Sequence, residues 1–169
     1  DIPELNEEEK SIYKEIVDMC DGIILPGGDR MYNYYEFVVK YALEKNIPIL
    51  GTCLGMQLFA NMDNGYNCLV RSVDDEHKKK RVEYAHDVLI QKNTLLYEII
   101  GEDKMSVNSS HLYHVSCVKD FIVSAYSSDG LIEAIELPTH NFVLGVQWHP
   151  EKMCEYDLNA NKIVDRFIE

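Results

Sequence analysis

Five consecutive residues, Gly51 to Gly55, place a cysteine between small residues. The segment follows the apolar run 47–50 and precedes a stretch of helical character that begins at Met56. We therefore predict a strand–turn–helix elbow with Cys53 at its apex, where glycine on either side avoids clashes with neighbouring elements. The free N–H groups and the dipole of a helix N-terminus favour a thiolate, which makes Cys53 a candidate nucleophile. The alternative is a buried structural cysteine beside a tight turn.

A second group of reactive side chains follows the apolar segment 142–148. His149 comes next, and Pro150 and Glu151 follow it. Because Pro150 fixes the turn, the carboxylate of Glu151 can reach the His149 ring, set its tautomer and stabilise the imidazolium. Together with Cys53, these residues would form a catalytic triad. On its own, this tripeptide would also suit an ordinary loop at the end of a strand.

The third feature is the pair Gly27 and Gly28, which comes shortly after the apolar run 22–25. Ligands of open parallel sheets bind beyond the carboxyl ends of the strands. All three features occupy such ends, so we expect them to converge on one pocket. A simple tight turn would explain the two glycines equally well if they stood alone.

Helix-like and strand-like segments alternate along the chain, which predicts an α/β fold with a mostly parallel sheet. Helical periodicity predicts helices at 7–20, 34–44, 94–100 and 157–168, besides the one that begins at Met56. Strands are predicted at 22–25, 47–50, 88–90, 105–107, 121–126, 131–136 and 142–148. Turn residues at 127–130 and 138–141 make part of the C-terminal half antiparallel. No linker interrupts residues 1–169, so we predict a single domain.

Charge and hydropathy exclude several classes of function. The 169 residues carry a formal net charge of −13, which repels phosphate backbones, so we expect no nucleic-acid partner. No apolar run reaches the roughly 18 residues of a membrane-spanning helix, and no signal peptide is visible, so we expect no membrane partner. The basic run 78–81 follows the acidic run 74–76 and is interpreted as a solvated loop.

The spacing of the other cysteines and histidines indicates no chemistry. Five cysteines without a secretory signal or paired ligand spacing indicate reduced thiols and a cytoplasmic protein. Four of them are interpreted as packing thiols: Cys20, Cys68, Cys117 and Cys154. Four histidines lack the mutual spacing of ligands, so no metal site is predicted: His77, His86, His114 and His140.

Three blocks of this sequence together resemble the class I glutamine amidotransferase superfamily. They are Pro-Gly-Gly-Asp at 26–29, Gly-Thr-Cys-Leu-Gly-Met-Gln at 51–57 and Val-Gln-Trp-His-Pro-Glu at 146–151. Within that superfamily the chain is most similar to the γ-glutamyl-γ-aminobutyrate hydrolase family, whose other blocks resemble residues 21–29, 107–111 and 130–136. The resemblance implies a three-layer α/β sandwich, from which this sequence lacks the usual first strand and helix. A genuine lack of that strand would leave a sheet edge exposed.

The resemblance also implies roles for individual residues. Cys53 would be the nucleophile, His149 the base and Glu151 the residue that orients it. The backbone of Leu54 and of the Gly27–Gly28 loop would form the oxyanion hole. The residues implied or suspected to contact the substrate are Gln57, Asn108, Ser109, Ser110, His111 and Tyr113. No metal or organic cofactor is implied.

Two departures from the family pattern leave the leaving-group side of the pocket open. Leu112 and Tyr113 follow His111 where the family usually has a second histidine and a glutamine, and Leu54 stands where many relatives carry arginine. The first hypothesis is a free-standing hydrolase that cleaves the γ-glutamyl amide bond of glutamine or of γ-glutamyl amines and peptides, and releases glutamate through a thioester on Cys53. The second is a glutaminase subunit that supplies ammonia to a separate synthetase chain, and the third is a non-enzymatic binding protein of the same fold. The sequence does not decide whether the chain forms a homodimer.

Overall fold

One mixed sheet of nine strands runs through the part of the chain that the computed structural model describes, residues 4–65, 67–71, 76–79 and 82–169. The strands are β1 (Ile23–Leu25), β2 (Ile49–Thr52), β3 (Leu69–Arg71), β4 (His86–Ile90), β5 (Lys104–Val107), β6 (Tyr113–Val115), β7 (Ile122–Ser127), β8 (Ile132–Glu136) and β9 (Val143–Val146). Their order is β1-β2-β9-β8-β7-β4-β5, and β6 pairs with both β8 and β3. The pairs β1–β2 and β2–β9 are parallel, and the remaining pairs are antiparallel.

Helices cover both faces of this sheet. The described helices are α1 (Glu7–Asp18), α2 (Asn33–Glu44), α3 (Leu54–Asn64), α4 (Leu95–Ile100) and α5 (Leu158–Ile168). Side chains that alternate along the strands enter two separate cores. In β2, Ile49 packs in the core that α1, α2 and α3 cover, whereas Leu50 packs in the core that α4 and α5 cover. Val143 and Leu144 divide in the same way in β9, which gives the three layers of a sandwich.

The predicted α/β class is confirmed, but the antiparallel portion of the sheet is larger than predicted. Parallel pairing joins only β1, β2 and β9 among the described strands, and these are the strands that lead into the Gly27–Gly28 loop, Cys53 and His149. The predicted turn at 127–130 does connect antiparallel β7 and β8, with Gly130 at φ 89°. Strands β3 and β6 were not predicted, because three residues of mixed polarity show neither a period nor the wholly apolar run by which β1 was predicted. That residues 1–169 form one domain stays a prediction.

Several features at the edges of the fold bear on other predictions. Strand β1 lies at one edge of the described sheet, and Ile24 in it is 55% exposed.

Cys117 is exposed, so its interpretation as a packing thiol is wrong, whereas Cys68 is buried. Of the charged runs at 74–76 and 78–81, residues 74, 75, 80 and 81 lie outside the described residues. Among the described helices, none has the length and apolar character needed to cross a bilayer.

A buried carboxylate at the end of β8 connects the sheet to α4. The Glu136 side chain accepts hydrogen bonds from the backbone N–H of Leu95 at 2.6 Å and of Leu96 at 3.2 Å. These are the first N–H groups of α4, which have no acceptor inside the helix. Thr94 adds a third cap, because its hydroxyl accepts from the Tyr97 N–H at 3.1 Å. The N-terminus of this helix, which has only six residues, is therefore held to the end of β8 by hydrogen bonds.

We expect Glu136→Gln to lower the free energy of unfolding by about 1–3 kcal/mol. The amide offers one oxygen and turns its NH₂ group toward the second backbone donor, which is left unsatisfied. Glu98→Gln is the matched control, because Glu98 lies exposed on the same helix and should change stability by less than about 0.5 kcal/mol. Urea unfolding followed by circular dichroism measures both variants. Equal stability of the two would contradict the capping role.

Candidate active site

Cys53 lies at the turn between β2 and α3 in a strained backbone conformation. Its φ of 51° and ψ of −102° fall where residues other than glycine are rare. The turn is held on both sides, because the Cys53 N–H donates to the Val146 carbonyl at 2.8 Å and the Gln57 N–H donates to the Cys53 carbonyl at 3.1 Å. The side chain is 7% exposed. The elbow predicted from the sequence is present.

The glycines on either side of Cys53 allow α3 to pack directly against the sheet. A β-carbon at Gly55 would lie 2.5 Å from the carbonyl oxygen of Leu25. A β-carbon at Gly51 would lie 2.8 Å from the ring of Phe59. Both distances are far below van der Waals contact, so a side chain at either position would push α3 away from the strands.

His149 follows β9 and is paired with Glu151. Its Nδ1 lies 2.7 Å from Glu151 Oε1, which leaves Nε2 as the ring nitrogen available to Cys53, and the ring and Cys53 Cβ both lie beside Gly27. Burial lowers the pKa of His149, but the hydrogen bonds with Cys53 and Glu151 outweigh burial and raise that pKa to about 9. The structure thus brings together the three residues that the sequence named as a triad.

The loop after β1 closes over this pair. A β-carbon at Gly27 would lie 2.4 Å from His149 Cε1 and 3.2 Å from Cys53 Cβ. A β-carbon at Gly28 would lie 3.6 Å from Leu54 Cδ2, which is ordinary contact. The loop and the start of α3 therefore flank Cys53 from two sides. An oxyanion hole formed by the amides of Gly27, Gly28 and Leu54 stays a prediction.

A cavity of about 910 Å³ opens in front of Cys53. Its volume lies within the range of about 300–1,000 Å³ that is common for small-molecule sites. Most of the predicted site residues line it: Gly27, Gly28, Cys53, Leu54, Gln57, Ser110, His111, Tyr113, His149 and Glu151. Asp29 and Lys152 also line the cavity and were not predicted. Each directly follows a predicted residue, Gly28 or Glu151, and that adjacency is the signal that could have found them.

Asn108 and Ser109 do not line this cavity, and their contact with the substrate stays a prediction. The Asn108 amide donates to the His149 carbonyl at 2.9 Å and accepts from the His149 N–H at 2.9 Å. The Ser109 hydroxyl donates to the His77 carbonyl at 2.9 Å. Both residues border a separate cavity of about 550 Å³ that shares His149 with the larger one. Asn108 therefore positions the main chain of His149.

Gln57 and His111 line the cavity, but their polar atoms contact other protein groups. The Gln57 amide nitrogen donates to the Tyr113 carbonyl at 3.0 Å and to Gln147 Oε1 at 3.2 Å. The His111 ring donates from Nδ1 to the same Tyr113 carbonyl at 2.9 Å, and its Nε2 faces buried Glu133 at 3.5 Å. These contacts fix the wall of the cavity. The side chain of Tyr113 itself is 45% exposed at that wall.

A strained cysteine beside a histidine–carboxylate pair, at the carboxyl ends of parallel strands in an α/β fold, is the arrangement of a cysteine hydrolase. Sequence comparison gives the family. The chain belongs to the Peptidase C26 family, whose sequence pattern matches residues 33–151.

Individual relatives agree with this assignment. The chain is 30% identical to a glutamine amidotransferase-like protein of Rickettsia prowazekii, over 89% of this chain and 77% of that protein. It is 33% identical to the CTP synthase of Methanococcus maripaludis, over 86% of this chain and 34% of that enzyme. The chain thus spans about a third of the length of the CTP synthases it matches.

Solved structures show the same fold. The glutaminase domain of Trypanosoma brucei CTPS with bound acivicin matches with a TM-score of 0.71 at 22% identity, over 97% of this chain and 76% of that one. A glutamine amidotransferase of Thermotoga maritima matches with a TM-score of 0.67 at 15% identity, over 90% of this chain and 80% of that one. The resemblance to the class I glutamine amidotransferase superfamily is confirmed.

We expect Gly27→Ala to slow alkylation of Cys53 by iodoacetamide by at least about tenfold. The new methyl group would occupy the position of the His149 ring, and the displaced ring would no longer stabilise the thiolate. Gly28→Ala is the matched control, because its methyl group meets only an ordinary contact with Leu54 and should leave the rate near the wild-type value. Peptide mass spectrometry follows the labelling. Equal rates in the two variants would contradict the close packing at Gly27.

The pKa of His149, about 9, should fall when either hydrogen-bonding partner is removed. Cys53→Ala and Glu151→Gln each delete a group that favours the imidazolium, while burial, which disfavours it, remains. Proton NMR of the imidazole C–H resonances measures this change. His114, whose pKa is lowered first by burial, is the internal control and should titrate unchanged in both variants. If the His149 pKa stays near 9 in both variants, the ring is not held by these groups.

Proposed function

We propose that this chain is a glutaminase of the class I amidotransferase type, which hydrolyses the γ-amide of glutamine and supplies the ammonia to a synthetase. The observation that carries this proposal is the placement of Cys53 against the paired His149 and Glu151 at the base of an open cavity. The synthetase activity would belong to a separate chain or to another part of a longer one.

The reaction uses two half-steps with His149 as the proton carrier. The Cys53 thiolate attacks the γ-carbonyl carbon of glutamine, and its proton is held on His149. In this proposal the backbone amides of Gly27, Gly28 and Leu54 stabilise the tetrahedral oxyanion. As the C–N bond breaks, His149 gives its proton to the departing ammonia, and a γ-glutamyl thioester remains on Cys53. Water then loses a proton to His149, attacks the thioester and releases glutamate.

Charged side chains around the cavity suit an amino-acid substrate. Glutamine carries an α-ammonium and an α-carboxylate besides its reactive amide. Asp29 supplies a negative charge to the cavity wall, and Lys152 supplies a positive one. In this proposal the two α-substituents lie toward these groups, while the amide enters over Cys53. Glu151 is unsuited to binding the ammonium, since its carboxylate faces the His149 ring.

The comparisons support the second hypothesis from the sequence better than the first. Relatives of the chain include CTP synthases from several organisms, and a similar solved structure is the glutaminase domain of such an enzyme. A non-enzymatic binding protein is the weakest of the three hypotheses, because such a protein has no need to retain Cys53, His149 and Glu151 together, and Glu151 lies 2.7 Å from the His149 ring.

A free-standing γ-glutamyl hydrolase remains the second candidate because of the cavity mouth. Leu112 and Tyr113 line the cavity and are 48% and 45% exposed. Apolar surface at this place would suit an amine larger than ammonia as the leaving group. The chain covers 77% of the Rickettsia prowazekii relative, so little of that relative lies outside the match. This agrees with a domain that works without an attached synthetase.

Glutamate release by the purified chain alone distinguishes the two candidates. The substrates are glutamine, γ-glutamyl-γ-aminobutyrate and several γ-glutamyl peptides. A glutaminase that serves a synthetase should act slowly on glutamine alone and not prefer the larger amides. We expect Cys53→Ala to abolish release, and Glu151→Ala to lower kcat by roughly 10²–10⁴-fold, because the His149 ring loses its orienting partner.

Cys117→Ala is the matched control, because Cys117 is exposed and does not line the cavity. A glutamine analogue with an electrophile at the γ-position should label Cys53 even when turnover is slow. Rapid cleavage of a γ-glutamyl amine would favour the free-standing hydrolase. Full activity of Cys53→Ala would overturn both candidates, as would failure of the analogue to label Cys53.

A further inference from the structure

Three histidine rings surround the buried carboxylate of Glu133, which is not one of the three residues of the predicted triad. Glu133 in β8 is 1% exposed, and its Oε1 lies 3.3 Å from His77 Nδ1. The same oxygen lies 3.7 Å from His86 Nε2 and 3.5 Å from His111 Nε2. His77 comes from a short 3-10 turn, His86 from β4 and His111 from the segment between β5 and β6. No regular spacing in the sequence connects them, so the sequence predicted no metal site.

In each ring one nitrogen faces Glu133 (the inner nitrogen) and the other faces away from it (the outer nitrogen). The partner of the outer nitrogen determines which tautomer the ring adopts. The outer partners are Asp129 Oδ2 for His77 at 3.0 Å, the Asp87 carbonyl for His86 at 3.2 Å and the Tyr113 carbonyl for His111 at 2.9 Å. Carbonyl and ionised carboxylate oxygens only accept hydrogen bonds, so each neutral ring carries its proton on this outer nitrogen. The three inner nitrogens therefore present lone pairs to Glu133.

Lone pairs and a carboxylate repel each other unless a cation lies between them. Eight buried polar side-chain atoms lack a hydrogen-bond partner among the described residues, and five of these belong to Glu133 and the three histidines. A proton is the simplest cation, and the pKa of His77 is raised to about 9 because Glu133 and Asp129 stabilise its imidazolium against burial. One proton on His77 still leaves two lone pairs facing the carboxylate.

We propose that His77, His86, His111 and Glu133 bind one divalent transition-metal ion, with zinc as the first choice. Imidazole nitrogens and carboxylate oxygens are both zinc ligands, and four such atoms suit tetrahedral coordination. Bonds of about 2.0–2.1 Å at tetrahedral angles place neighbouring ligand atoms roughly 3.3–3.5 Å apart. The nitrogens lie 3.3, 3.5 and 3.7 Å from Glu133 Oε1. The donor atoms of His77, His86 and Glu133 all lie within 4.8 Å of one another and form the core of the site, whereas the donor atom of His111 lies outside this group and faces it at Glu133 Oε1, at 3.5 Å.

Asp129 would act as the outer partner that orients a metal-bound histidine. Its carboxylate accepts from His77 Nε2, and its pKa is lowered, although burial raises it, by hydrogen bonds from Ser127 and His77. Such carboxylate–histidine pairs fix the ring and raise its basicity toward a metal. With His111 as the fourth ligand the metal would be structural, since no position would remain for a substrate.

The experiment uses the full chain in a Cys53→Ser background, so that zinc cannot bind the thiolate of the active site. After chelator treatment, zinc sulfate is titrated by calorimetry, and bound metal is counted by mass spectrometry under native conditions. We expect one zinc per chain and a higher thermal unfolding temperature in the presence of zinc. Co²⁺ in place of zinc should give the visible absorption of a tetrahedral nitrogen–oxygen site without thiolate charge-transfer bands.

Variants then test the named ligands. His86→Gln and Glu133→Gln should weaken zinc binding roughly 100-fold or more, and Asp129→Asn by about 10–100-fold. His140→Gln is the matched control, because that ring contacts the Leu43 carbonyl and takes no part in the cluster. If Glu133→Gln does not fold, the Co²⁺ spectrum and zinc stoichiometry of the Cys53→Ser chain still decide. No stoichiometric zinc, thiolate bands with Co²⁺, or unchanged binding by His86→Gln would overturn the proposal.

Discussion

The backbone conformation of Cys53 is the constraint on which the active site depends. A residue other than glycine at φ 51° costs about 1–3 kcal/mol, and it persists only where its surroundings leave no alternative. The surroundings here are the hydrogen bond from Cys53 to Val146 and the start of α3, which lies against β1 because Gly55 has no side chain. The strained conformation directs the sulfur of Cys53 toward the cavity. The packing around Cys53 offsets the free-energy cost of that conformation.

Parallel pairing of β2 with β9 brings the second half of the triad to the same place. Thr52 is paired with Val146, so Cys53 and His149 both leave the sheet at its carboxyl edge. The larger antiparallel portion of the sheet contributes indirectly. It carries the segment between β5 and β6, whose Asn108 holds the main chain of His149 from both its N–H and its carbonyl. The ring is thus positioned by two independent parts of the fold.

The elbow, the histidine–glutamate pair and the glycine loop could be predicted from sequence because each is a local motif with its own chemistry. The roles of Asn108 and His111 could not, because each depends on a partner brought close by folding: the His149 backbone in one case and Glu133 in the other. The α/β class followed from alternating periods, whereas the extent of antiparallel pairing did not. Strand β3 is short and of mixed polarity, so it shows no pattern of its own and is defined by its pairing with β6.

Hydrogen bonds connect the cavity wall to the cluster of His77, His86, His111 and Glu133. The His77 carbonyl accepts hydrogen bonds from the Ser109 hydroxyl and from the His111 N–H, so the turn that carries His77 fixes the segment that begins at Asn108. Strand β8 contributes from the other side, because the Glu133 carbonyl accepts from the Gln147 N–H at 2.7 Å. A cation at Glu133 would therefore tighten both the support of His149 and the wall of the cavity. The same segment would then set the position of the His149 ring and the shape of the cavity.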